Sequence, residues 1–97
     1  MIIQKAGRPT ILCSEHAVSS GHYLATAAAF RILENGGNAI DAGVAAGIAL
    51  NVVLPGSTSF GGVAPILIYS AKEKEVSSIS GLGYWPKSAS IQHFKEK

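Results

Sequence analysis

The sequence predicts a layered α/β fold, and three stretches carry the prediction. Asn35-Gly36-Gly37-Asn38-Ala39-Ile40-Asp41-Ala42 stops one helix and starts the next within a handful of positions. The runs on either side, residues 23–35 and 39–54, are apolar and long enough to be helices. Further on, the apolar run 66–69, a charged turn and the alternating run 76–80 read as the two arms of a β-hairpin.

Taken in order, residues 1–10 contain Gly7, Arg8 and Pro9 with no sustained period and read as an arm or loop. They lack the long apolar core of a signal peptide, so the cytoplasm is the expected location. Residues 17–20 are the best short strand before a turn at Gly21. His22 follows. It can be read as an acid or base, or as a side chain that bonds the backbone at a helix start. The second reading is preferred, because no carboxylate or nucleophile lies at a spacing that would orient it. In the helix over 23–35 the apolar surface of Leu24, Ala25, Ala27, Ala28, Ala29, Phe30, Ile32 and Leu33 is too wide for a single stripe and calls for cover on more than one side. Arg31 and Glu34 are spaced to pair along its edge.

Gly36 or Gly37 can take the left-handed conformation that ends this helix. Asn38 then caps the next, and Asp41 places negative charge at its positive end, a capping box with Asp in place of Glu. Within 39–54, Ala39, Gly43 and Gly47 recur every four residues and leave one face almost bare, while Ile40, Val44, Ile48 and Val52 line the neighbouring stripe. An interior glycine costs about 1 kcal/mol against alanine, so another element is expected to approach that face closely. The same Gly-x-x-x-Gly spacing occurs in paired membrane helices. Here Asp41 and Asn51 bracket a run too short to span, so a buried helix of a soluble protein is preferred.

Pro55 ends the second helix. The loop 56–62 is rich in glycines and hydroxyls, which permit close approach of a ligand or a strand, and its N–H groups can cradle an anion. It lacks the Lys-Ser or Lys-Thr pair of a phosphate loop. The run 66–69 reads as a buried strand, and Lys72-Glu73-Lys74-Glu75 as a turn facing water. In the loop 81–87, Tyr84 and Trp85 can line an apolar or planar pocket, and a Trp packed beneath the loop is an equal alternative. Residues 88–97 open a further helix with Ser88 or Ser90 as its cap.

Composition narrows the function. The 97 residues make one domain at most. Hydrophobic residues are 47% and charged residues 14%, an apolar excess that implies further protein covering this surface. The net charge of +2 is scattered apart from Lys95 and Lys97, so no nucleic-acid partner is expected, and no membrane partner either. The lone Cys13 excludes an internal disulfide, offers no metal-ligand spacing, and reads as a half-buried thiol rather than a nucleophile. No metal and no cofactor is expected. The familiar hydrolase motifs, Gly-x-Ser-x-Gly and His-Glu-x-x-His, are missing from the sequence.

Three pieces of the chain carry a resemblance: Ser20-Gly21-His22-Tyr23-Leu24-Ala25-Thr26, Ile32-Leu33-Glu34 running on through the corner to Ala42, and the loop from Pro55 to Gly62. Over residues 18–62 the sequence resembles the N-terminal part of the γ-glutamyltransferase family, a branch of the N-terminal-nucleophile hydrolases. The resemblance implies a partial αββα fold, helices packed on a largely antiparallel sheet, with residues 1–97 as one incomplete domain and 17–20 as a strand of the central sheet. It implies amide hydrolysis or acyl transfer by a threonine that becomes N-terminal after self-cleavage in the distant second half, with its α-amino group as base. Thr26 and Thr58 do not match that threonine, so no catalytic residue is expected in this chain. The implied partners are the remainder of the enzyme, bearing the threonine, and a small amide substrate.

The same resemblance assigns the substrate-binding positions. An arginine of the family that binds the glutamyl α-carboxylate falls at Leu82, while the proline after it is kept as Pro86. Leucine has no donor, and losing charged hydrogen bonds of about 1.5–3 kcal/mol implies roughly ten- to hundred-fold weaker recognition of glutamate. A small amide other than a γ-glutamyl compound is therefore expected, with Leu82, Tyr84, Trp85, Gly61 and Gly62 as the substrate-binding residues. The chain keeps Gly61-Gly62 but continues Val63-Ala64-Pro65, a departure from the family's more glycine-rich loop. Two other readings stand beside this one: a non-catalytic truncated remnant or interaction module, and a small independent α+β binding domain, which the apolar excess weakens.

Overall fold

The computed structural model describes residue 7 and residues 9–96, so most of the arm expected over 1–10, and Lys97, lie outside the described residues. Its elements are α1 (Tyr23–Glu34), α2 (Ala39–Val53), β1 (Ile66–Ser70), β2 (Glu75–Ile79) and α3 (Ile91–Lys95). The architecture is mixed: a helix pair, then a two-stranded antiparallel sheet, then a short helix.

Both ends of α1 are closed by local chemistry. His22 has extended backbone angles and its Nδ1 accepts from the Leu24 N–H at 3.1 Å, so it acts as a cap, the preferred reading of this residue. At the other end the Gly36 N–H reaches Leu33 O at 3.0 Å and the Gly37 N–H reaches Ile32 O at 2.9 Å. With Gly36 at φ 85°, this is a Schellman closure of the helix. Asn38 opens α2, its Oδ1 accepting from the Asp41 N–H at 2.9 Å. Ser90 does the same for α3, accepting from the His93 N–H at 3.2 Å.

The two long helices meet through alanines. Ala25 and Ala29 of α1 and Ala42 and Ala46 of α2 are buried, with Val18, Ile32, Leu33, Ala49 and Leu50 packed around them. Small side chains let the helices approach, but they remove little apolar area from water. The large ones stay outside: Ile40, Val44, Ile48 and Val52 are 50–77% exposed. Nothing lies within 4 Å of a Cβ built on Gly43 or Gly47, so the close neighbour expected on that face is not supplied by the described residues.

β1 and β2 pair in antiparallel register from Ile66↔Ile79 to Ser70↔Glu75. The strand 66–69 is not the buried one its apolar run implied: Ile66, Leu67 and Tyr69 are exposed, because no further layer covers either face among the described residues. The helices pack on each other and the strands on each other, and the two pairs share no comparable contact, so the helix-on-sheet layering is not made here. The radius of gyration, 18.4 Å, exceeds the roughly 13 Å of a compact domain of this length for the same reason.

Three further expectations are corrected. Residues 17–20 form no strand, since Val18 rests on the helix pair and the segment pairs with neither β1 nor β2. Cys13 is exposed rather than half-buried, for it lies ahead of the packed segment. Glu34 pairs with His16 at 2.9 Å instead of with Arg31; the imidazole is also held against Phe30, 4.9 Å between ring centroids.

Candidate functional site

The expected substrate-binding residues lie on two loops, the connection from α2 to β1 and the one that leaves β2. The first begins with a tight turn. Leu54 O accepts from the N–H groups of Ser57 at 3.1 Å and Thr58 at 3.2 Å, and from Thr58 Oγ1 at 3.1 Å. Those two N–H groups are therefore engaged and do not cradle an anion. The Thr26 hydroxyl is likewise engaged, 2.7 Å from Ser20 Oγ and 3.4 Å from His22 O.

The two loops cross at one point, where the hairpin register that pairs Ile66 with Ile79 runs on to Ala64 and Gly81. The Ala64 N–H donates to Gly81 O at 3.0 Å. Gly81 has φ 55°, and a Cβ there would overlap the Ala64 carbonyl, so only glycine fits. A Cβ on Gly62 would sit 3.4 Å from the same Gly81 oxygen. The crossing thus brings Gly62 next to the residue that precedes Leu82. Gly61 stays apart; the nearest atom to its added Cβ is Ser59 Oγ at 3.7 Å.

Beyond the crossing, Leu82, Gly83, Tyr84, Trp85 and Pro86 line an open recess of about 210 Å³. Its lining contains no charged side chain. Tyr84 is fully exposed, and Trp85 is 80% exposed although its ring meets Phe94 of α3 edge to face, 6.4 Å between centroids. Trp85 therefore touches α3 at one edge with most of the indole free, and is not packed beneath the loop, because no other element among the described residues covers it. Leu82, Tyr84 and Trp85 are brought together; Gly62 joins them only through Gly81.

A larger groove, about 570 Å³, runs between α2 and the loop 55–64, with Val44, Ile48, Asn51, Phe60 and Gly62 among its lining. Asn51 is the residue the sequence reading passed over. Its Nδ2 donates to Gly47 O at 3.0 Å, while Oδ1 is buried with no donor among the described residues. The signal was present in the sequence as a lone amide inside Ala49-Leu50-Asn51-Val52-Val53, where it served only to argue against a membrane span. Among the described residues no three His, Cys, Asp or Glu side chains gather into a metal-binding group, and no helix is long and apolar enough to cross a membrane.

The comparisons with known proteins agree on one family. The sequence profile described as gamma-glutamyltranspeptidase matches residues 25–97. A glutathione hydrolase-like YwrD proenzyme of Bacillus subtilis (strain 168) is 38% identical over 88 residues, 91% of this chain but 17% of the relative. Glutathione hydrolase proenzymes of Bacillus subtilis subsp. natto and of strain 168 are each 35% identical over 80 residues, 82% of this chain and 14% of theirs. The chain therefore spans about one sixth of the length of the curated relatives it matches. By the profile match and by these relatives, it belongs to the γ-glutamyltranspeptidase family.

Proposed function

We propose that this chain is the N-terminal segment of an amide-cleaving or acyl-transferring enzyme of the N-terminal-nucleophile type, and that it contributes binding loops and covering helices but not the nucleophile. A threonine in the remaining polypeptide supplies that group: its Oγ attacks the amide carbonyl carbon, its α-amino group takes the hydroxyl proton, and the C–N bond breaks as the amine leaves protonated. Water or an acceptor amine then removes the acyl group. In the complete protein the helix pair and hairpin join a four-layer αββα core.

The observation that carries this reading is the match of 91% of the chain to 17% of a proenzyme, a word that describes a precursor awaiting cleavage. The open apolar stripe on α2 supports it, since such a surface is stable in water only when covered. The relatives are named for glutathione, but the absence of any charged side chain lining the Leu82 recess favours a small amide other than a γ-glutamyl compound. The alternative, a non-catalytic remnant, is favoured by no specific observation.

The test is the intact mass and N-terminal sequence of the polypeptides that co-purify with this chain from its own cells. A second chain beginning with threonine is expected, together with no turnover of glutathione or a γ-glutamyl anilide by residues 1–97 alone. A solitary 97-residue chain, or activity in that chain, overturns the proposal.

A further inference from the structure

We draw no further inference here: the strongest candidate, the groove between α2 and the loop 55–64 that is lined in part by Asn51, is an unpartnered apolar face, and nothing in the structure shows what covers it.

Discussion

At Gly36 the backbone turns to φ 85°, and at Gly37, without a positive φ, an added Cβ would lie 2.5 Å from Ile32 Cγ2 and 2.9 Å from Ile32 O. One glycine is required by backbone conformation and its neighbour by contact. The glycines of α2 differ from both, because a Cβ added at Gly43 would meet no atom within 4 Å beyond its own turn of helix. Opposite signs follow for one substitution in the isolated chain. Gly37→Ala should lower helicity, since the C-terminal closure of α1 must open to admit the methyl group. Gly43→Ala should raise it, by about 1 kcal/mol of helix propensity. Far-UV circular dichroism of the two variants checks the pair, and a loss of helix in Gly43→Ala would show that this face is already occupied. The sequence marked Gly36 and Gly37 as a stop without dividing their roles, because the division depends on where the Ile32 side chain returns.

The elements were legible because their ends are local. Pro55, the Gly36-Gly37 pair and the Asn38 cap act over three or four residues, a range at which sequence spacing is already geometry. Asn38→Ala should therefore weaken α2 by about 1 kcal/mol, with Asn38→Asp or Asn38→Ser restoring most of the helicity. Loss that Asp and Ser fail to restore would mean that Asn38 has a tertiary partner as well. The strand expected at 17–20 shows the limit of such reading. A strand is defined by its ladder partner, and no property of Ala17-Val18-Ser19-Ser20 says whether a partner is within reach. The pairing of Glu34 failed to be read for the same reason: Arg31 is near in sequence, but His16 is nearer in space.

At the scale of the whole molecule, the buried set among the described residues is four alanines, while Ile40, Val44, Ile48 and Val52 of α2 and Ile66, Leu67, Tyr69, Val76 and Ile79 of the hairpin are exposed. Burial of alanine methyl groups contributes little against the conformational entropy of ordering the chain. Residues 1–97 alone should then unfold over a broad urea range, without a sharp cooperative midpoint, and should bind a dye that reports exposed apolar surface. A steep single transition and no dye binding would show that the chain closes its own core. The same imbalance explains why the helix pair and the hairpin do not layer, although α1, α2 and the hairpin themselves formed as expected.

The sequence by itself determined where α1 and α2 start and stop, the hairpin, the apolar excess and the family, because these rest on local stereochemistry or on matched residues. Only the tertiary structure decided that Gly62 and Gly81 meet, that Gly81 cannot carry a side chain, and that Trp85 stands open beside Leu82. Those facts depend on the antiparallel register of β1 and β2 running on past the strand ends by one hydrogen bond, from Ala64 to Gly81. The hairpin was legible, but its register belongs to the pair of strands, and no spacing within either arm encodes which residues meet beyond it.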